Sequence, residues 1–378
     1  MDILRFADKY GPAKIIQIHE PSVNLKAVLV IDNLALGRAL GGIRMAPDVS
    51  VEECFRLART MTLKHAAAGL PHGGGKVVVF GDPKMPRPDK ERLIRALACA
   101  LENEPEFIMA PDMGTSEEDM AWIRDEGAEG VVGLPAGLGG IPVDKMGATA
   151  WGVRQAVEAA LPYCGFPAGF SLEKARVVIQ GFGSVGGQAA HFLATLKTVL
   201  VGASDTRGAV YNPDGLDVAE LIRLKETGKS VVDYPKGKIF EREAIIDFDC
   251  DIWIPAARPD VVREENVQHL KAKLVVEGAN IPLTYGAEKY LYEHGVVCVP
   301  DFIANAGAVI CSSAEYRGGA QTQVLSQILA IVEEKVRRNT KLVLEESAAQ
   351  KILPREAAMR LALTRLEQAM SCKRWSIY

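Results

Sequence analysis

The segment Gly181-Phe182-Gly183-Ser184-Val185-Gly186 follows the apolar run Arg176–Gln180 and leads into a helical pattern from about Val185 to Leu196. Glycines so spaced can cradle a pyrophosphate. Gly181 permits a tight turn, Gly183 lets phosphate oxygens approach the backbone, and Gly186 lets helix and strand pack closely. Free N–H groups at the helix start, at Ser184 and Val185, then face the anion. With a strand before it and a helix after it, this turn reads as a dinucleotide site. Asp205 lies 19 residues past Gly186, at the end of the next strand pattern. An acid there can bind the adenosine ribose hydroxyls and disfavour a 2′-phosphate. The same residue also suits a turn within Ser204-Asp205-Thr206-Arg207-Gly208. NAD is favoured and NADP is left open, with Arg207 close by.

A second set of reactive residues lies earlier in the chain. Lys76 follows Pro71-His72-Gly73-Gly74-Gly75 and precedes Val77–Phe80, a short strand pattern that would fix the lysine at a sheet edge. A buried lysine beside a second cation can exchange its proton near neutrality, which suits an acid or base. Lys64 lies late in a helical pattern and by itself reads as a solvated charge. Asp112, in Ala110-Pro111-Asp112-Met113-Gly114, by itself reads as a cap or turn residue.

The elements that must position these groups alternate between strand and helix, the pattern of an α/β protein. Ala27–Ile31 reads as a strand. Ser50 opens a helix that Gly69 ends, and Ser116 caps another near 117–126. The Gly- and Pro-rich stretch 127–147 reads as a long loop at a domain boundary. Further strands at Ile252–Ile254, Leu274–Glu277 and Val296–Val299 complete a doubly wound parallel sheet. The chain ends in helices, with Pro354 suited to the first turn of the last.

At 378 residues, two domains are expected. The composition, 24% charged and 48% hydrophobic, is that of a soluble globular protein. A net charge of −4 gives no basic field for nucleic acid. No apolar run reaches the roughly 18 residues needed to span a bilayer, and the first residues lack a secretory leader pattern. The seven cysteines are scattered without ligand spacing, so no metal site is read and a reducing cytoplasm is expected.

The reactive segments, taken together, resemble the glutamate/leucine/phenylalanine/valine dehydrogenase family. The matching pieces are Gly41-Gly42-Ile43-Arg44-Met45, Lys64 through Gly74-Gly75-Lys76, Ala110-Pro111-Asp112-Met113-Gly114, Thr149-Ala150-Trp151-Gly152, the glycine turn, Glu277-Gly278-Ala279-Asn280, and Pro300-Asp301 through Asn305-Ala306-Gly307. They stand in family order and cover almost the whole chain.

The resemblance implies reversible, nicotinamide-dependent deamination of an L-amino acid to a 2-oxo acid and ammonia. Lys64 would bind the α-carboxylate. Lys76 would activate water, and Asp112 would shuttle protons. Gly41 and Gly42 would let substrate approach the backbone. Thr149 and Asn305 would hold the carboxamide end of the nicotinamide, and Asn280 its ribose. Residues 1–146 would form a substrate-binding and oligomerisation domain, joined by helices from about 340 to 378. Residues 147–339 would form the Rossmann dinucleotide-binding domain. A homo-oligomer (hexamer, octamer or dimer) is implied.

For the amino acid, the glutamate enzymes carry a lysine where this chain has Leu40, and Met61 stands at a position polar in some relatives. A distal carboxylate left unpaired there would be costly. The expected pocket, formed by Leu40, Met61, Ala110, Val309 and Ser312, is apolar or mildly polar, for a leucine-, valine- or phenylalanine-type substrate. Ser312 and the 204–215 segment are glutamate-like, so glutamate dehydrogenase is the alternative. A non-catalytic dinucleotide-binding protein of the same fold is the alternative of another class, disfavoured by the intact Lys64, Lys76 and Asp112. An unrelated malic-type enzyme would need metal-binding carboxylates that the sequence does not assemble.

Overall fold

A computed structural model describes residues 3–318 and 325–378. Among these, the chain divides into two compact units. One takes in the chain up to Val143, the stretch Val309–Ile328 and Met359–Tyr378; the other takes in Asp144–Ala308 and Leu329–Ala358. The sequence places the changes of domain at 146/147 and near 340. In the structure 309–328 joins the first unit and 340–358 the second. Helical periodicity shows that a face is buried without showing against which core, so these later crossings leave no local mark.

The first unit is built on a five-stranded sheet of β1 (Lys14–Glu20), β2 (Leu25–Asn33), β3 (Ala39–Ala46), β4 (Gly73–Phe80) and β5 (Phe107–Pro111). Their order is β1-β2-β4-β3-β5. β4 runs parallel to β3 and antiparallel to β2. β4 is therefore a central strand, and Lys76 is not at a sheet edge as its sequence context suggests. The glycines before it belong to the strand itself. A side chain at Gly74 would lie 2.1 Å from the Thr62 backbone nitrogen, and one at Gly73 would lie 1.8 Å from the Asn33 carbonyl oxygen. Only glycine lets β4 run so close to its neighbours. Helix α1 (Val51–Ala67) starts where the Ser50 hydroxyl accepts from Glu53 N, and Gly69 follows it at φ +62°. Helix α2 (Arg87–Ala100) sends Leu93, Ile94 and Leu97 into a core shared with Leu29, Ile43 and Phe107. Helix α3 (Glu117–Asp125) has a reciprocal Ser116–Asp119 capping box.

The second unit begins within a short helix, α4 (Val143–Met146), and continues into α5 (Ala148–Ala160). The sheet here contains β6 (Arg176–Gln180), β7 (Val199–Asp205), β8 (Gly208–Tyr211), β9 (Lys238–Phe240), β10 (Ile252–Pro255), β11 (Leu274–Val276) and β12 (Val297–Val299), in the order β12-β11-β10-β6-β7-β8-β9. The first five in that order pair in parallel, and β8 and β9 add an antiparallel edge that the sequence reading lacks. Helices α6 (Ser184–Ala194), α7 (Val218–Glu226) and α8 (Tyr285–Glu293) connect strands, and α9 (Asp301–Ala304) follows β12. The chain closes with α10 (Gly307–Gly318), α11 (Leu325–Gln350) and α12 (Pro354–Ser371). No described helix is long and apolar enough to cross a membrane.

Two histidines are sealed into the first unit. His65 Nδ1 lies 2.8 Å from the Gly73 carbonyl oxygen, and His72 Nε2 lies 3.0 Å from Ser313 Oγ. Burial pushes His65 down to about 3 and His72 to about 4, against an ordinary value of 6.5. The unfolded chain therefore takes up protons before the folded one does. Stability should fall as pH drops from about 6.5 towards 4. Melting temperatures across that range should show the slope, and it should be shallower in His72→Gln.

Candidate active site

β3, β4 and β5 bring Lys76 and Asp112 together in the first unit. Lys76 is 4% exposed, and its Nζ donates to Asp112 Oδ2. Arg44 Nε stands 3.4 Å from the same oxygen. Asp112 Oδ1 accepts from Met113 N at 2.7 Å, and Asp112 N donates to Thr115 Oγ1 at 2.9 Å. Burial by itself would raise the Asp112 carboxyl, but Lys76 and Arg44 outweigh it and hold it at about 2. The group that faces Lys76 is thus an ionised carboxylate. Arg44 was not singled out in the sequence; it sits two residues beyond Gly42 on β3, and strand alternation puts both on one face.

Gly41 and Gly42 have separate reasons within the chain. A side chain at Gly41 would lie 1.8 Å from the Gly75 carbonyl oxygen. One at Gly42 would lie 2.7 Å from Asp112 Cβ and 3.2 Å from Lys76 Nζ. Gly42 therefore keeps open the space over the lysine–carboxylate pair, whereas Gly41 admits a neighbouring strand. Lys64 is buried in the last turn of α1.

Leu40 and Ala110 cluster with Ile108 and Val132, and Met61 and Tyr316 pack against them. Val309 is buried and Ser312 half-buried on α10, the helix that also supplies Tyr316. Ser312 and Tyr316 are four apart and share a helix face. Beside this patch Arg38 Nη1 donates to the Tyr316 hydroxyl, with its guanidinium carbon 5.3 Å from the ring centre. Arg38 Nε is buried without a hydrogen-bond partner among the described residues. Sequence periodicity could not find the Arg38–Tyr316 contact, which spans 278 residues.

In the second unit the glycine turn links β6 to α6. Gly181 takes φ +94°, and a side chain there would lie 2.6 Å from Ala257 Cβ; one at Gly186 would lie 2.0 Å from the Gly181 carbonyl oxygen. A side chain at Gly183 would meet nothing within 4 Å. Gly183 is the N-cap of α6, with no side chain capping it, so the N–H groups around Ser184 and Val185 await an acceptor. Gly181 and Gly183 line a cavity of about 600 Å³ with Gln180, Ser204, Asp205 and Arg258. Its size suits a cofactor.

Asn280 and Asn305 are joined: Asn305 Nδ2 donates to Asn280 Oδ1 at 3.1 Å and to the Gly278 and Ala279 carbonyls at 3.3 and 3.2 Å. Asn305 Oδ1 is buried without a partner among the described residues, an acceptor suited to an amide N–H such as that of a nicotinamide. A side chain at Gly307 would lie 2.9 Å from Thr149 N, which places Thr149 in the same corner. Behind it, Arg355 binds three buried carboxylates: Glu288 through Nε at 2.6 Å, Asp301 through Nη1 at 3.0 Å and Glu277 through Nη2 at 2.8 Å. Asp301 Oδ2 accepts from Ile281 N at 2.9 Å, tying this cluster to the Asn280 loop. The only hint of it in the sequence is that acids stand inside two apolar motif segments.

A sheet unit with a glycine turn open to a dinucleotide, and another holding a lysine against an ionised aspartate, together define a nicotinamide-dependent oxidoreductase. Residues 12–129 match the Glu/Leu/Phe/Val dehydrogenase dimerisation domain, and residues 139–374 match Glutamate/Leucine/Phenylalanine/Valine dehydrogenase. The chain belongs to this family and is an NAD(P)-dependent amino-acid dehydrogenase. It is 37% identical over 369 residues to a glutamate dehydrogenase of Aeropyrum pernix, covering 91% of this chain and 85% of that one. It is 39% identical over 307 residues to an NADP-specific glutamate dehydrogenase of Saccharolobus shibatae, covering 78% and 71%. Among solved structures it is similar to the hetero-hexameric glutamate dehydrogenase from Thermus thermophilus in its Leu-bound form. That likeness has a TM-score of 0.84, 30% identity, and coverage of 95% of this chain and 89% of that one.

Proposed function

We propose that the chain reversibly deaminates an L-amino acid with an apolar side chain, of the leucine, valine or phenylalanine type. The pair of buried Lys76 and half-buried Asp112 beneath Gly42 carries this reading. Lys64 holds the α-carboxylate, which leaves Cα and its amine facing the pair. Asp112 accepts a proton from the substrate ammonium, so that a free amine lone pair can assist departure of hydride. The nicotinamide, when bound, supplies the acceptor for that hydride. The resulting iminium is attacked at Cα by water. Lys76, in its uncharged form, takes the water proton and then, as ammonium, faces the carbinolamine oxygen. Asp112 returns its proton to nitrogen; the carbinolamine hydroxyl gives up its proton as the C–N bond breaks, ammonia carries that proton away as ammonium, and Lys76 passes the water proton to solvent. Overall, amino acid, water and oxidised cofactor give 2-oxo acid, ammonium, reduced cofactor and a proton. The glycine turn holds the pyrophosphate, and Thr149, Asn280 and Asn305 hold the nicotinamide end.

The clustering of Leu40, Met61 and Ala110 with Ile108 and Val132 supports an apolar substrate side chain. Glutamate is the second reading. It is favoured by Arg38, which forms no ion pair among the described residues and stands against Tyr316 beside this patch; the relatives above named glutamate dehydrogenases also support it. Initial rates of NAD(P)H formation with leucine, valine, phenylalanine and glutamate separate the two. Higher kcat/KM for the apolar set is expected, and activity confined to glutamate would move the assignment to the second reading. We also place the chain in the cytoplasm as a homo-oligomer. None of its seven cysteines is bridged, and light scattering distinguishes dimer, hexamer and octamer.

A further inference from the structure

Asp205 ends β7 and lines the dinucleotide cavity, where an acid would be expected to take the ribose hydroxyls. Its carboxylate is already engaged. Oδ1 accepts from Arg207 N at 2.9 Å and Ser230 Oγ at 2.7 Å; Oδ2 accepts from Lys225 Nζ at 2.6 Å and Val231 N at 3.1 Å. A carboxylate offers about four lone-pair directions, so these donors use all of them. The residue is 9% exposed, and Lys225 balances its charge. A ribose diol could bind it only by displacing an internal donor. A 2′-phosphate would meet a neutral ion pair instead of a free anion.

The surrounding groups lean towards cations. Thr206 lines the cavity, and Arg207 follows it in the turn between β7 and β8; its ion-pair partner, Asp233, is 3.3 Å away, and the Arg207 side chain is mostly exposed. Such a pair is weak and can open to a phosphate. Arg258, after β10, lines the same cavity and forms no ion pair among the described residues. Of the other acids in the wall, Glu243 is taken by Arg242, and Asp260 lies two residues beyond Arg258.

We propose that this chain selects NADP over NAD, with the ribose 2′-phosphate seated between the Thr206–Arg207 turn and Arg258. This deepens the dehydrogenase reading and rests on it for the identity of the cavity. A 2′-phosphate adds two charge-assisted contacts that a ribose hydroxyl cannot make. The Asp205 pairing removes the repulsion that would otherwise oppose them.

Two measurements test the proposal. In steady-state assays, kcat/KM for NADP should exceed that for NAD by about tenfold or more, the worth of one hydrogen bond to a charged group. In Arg207→Ala/Arg258→Ala the value for NADP should fall at least about tenfold more than the value for NAD. Calorimetry with adenosine 2′,5′-bisphosphate and adenosine 5′-monophosphate reads the same corner without catalysis, and the 2′-phosphorylated probe should bind more tightly. Equal or tighter binding of the monophosphate, or a preference for NAD, overturns the proposal and leaves the dehydrogenase reading intact. Failure of both nucleotides to bind removes the cavity's dinucleotide assignment, and the proposal with it.

Discussion

Lys76→Ala should lower kcat by about 10³–10⁴-fold, the upper part of what a positioned acid–base group contributes. In the proposed mechanism two roles are removed at once, the base that takes the water proton and the cation that faces the developing oxyanion. Lys76→Arg separates them. A guanidinium keeps its charge and does not give up its proton in the working pH range. If proton exchange is essential, Lys76→Arg should be nearly as inactive as the alanine variant; if only charge matters, much of the rate should return. The alanine variant should still fold, because Arg44, 3.4 Å from Asp112, continues to offset the carboxylate. Its Asp112 should titrate higher than the value of about 2 found beside Lys76. Steady-state rates, with thermal melts of each variant, check these outcomes.

The largest effect on stability is expected away from the reacting atoms, at Arg355. Methionine there would leave Glu277, Glu288 and Asp301 buried without their shared cation. Breaking a buried charge cluster on one side typically costs about 3–5 kcal/mol. Burial already holds Glu277 well above the ordinary carboxylate range, with Arg355 opposing it and the neighbouring acids adding to it. Without the arginine Glu277 and Glu288 should rise further, so the folded state would bind protons more tightly than the unfolded state. The sign follows: the defect should be smallest near pH 4–5, around the ordinary value of 4.5, and should grow as pH rises. Urea titrations of Arg355→Met and wild type at several pH values give the difference directly. Because Asp301 also holds Ile281 N, KM for the cofactor should rise in the same variant.

Parts of this arrangement are legible in the sequence for clear physical reasons. The glycine turn has an apolar strand on one side and a helix on the other, and α1 and α3 begin at serine caps. Lys76 and Asp112 are marked by their flanking glycines and proline. β3 is hidden because Gly41 and Gly42 interrupt what would otherwise read as a strand; Gly41 admits β4, and Gly42 leaves room over Asp112 and Lys76. Gly73–Gly75 look like a loop for the same reason. The antiparallel edge of β8 and β9 is short and partly exposed, so it has no strong apolar run. The Arg38–Tyr316 contact and the Arg355 cluster join residues far apart in the chain, and neither period two nor period 3.6 reports such pairs. Asp205 shows the opposite case. Its position suits a ribose contact, and only the structure shows that Lys225, Ser230 and two backbone N–H groups occupy its oxygens.

The most direct test compares Asp112→Asn with wild type, following NAD(P)H formation with a panel of L-amino acids and cofactor binding by fluorescence titration. Asparagine keeps the shape of Asp112 and its contact with Lys76 but cannot accept the ammonium proton. The wild type should turn over, and the variant should lose about 10²-fold or more in kcat while binding cofactor with unchanged affinity. Turnover by Asp112→Asn at the wild-type rate, or a wild type that binds cofactor yet oxidises no L-amino acid, would contradict the assignment of this pair to amino-acid deamination.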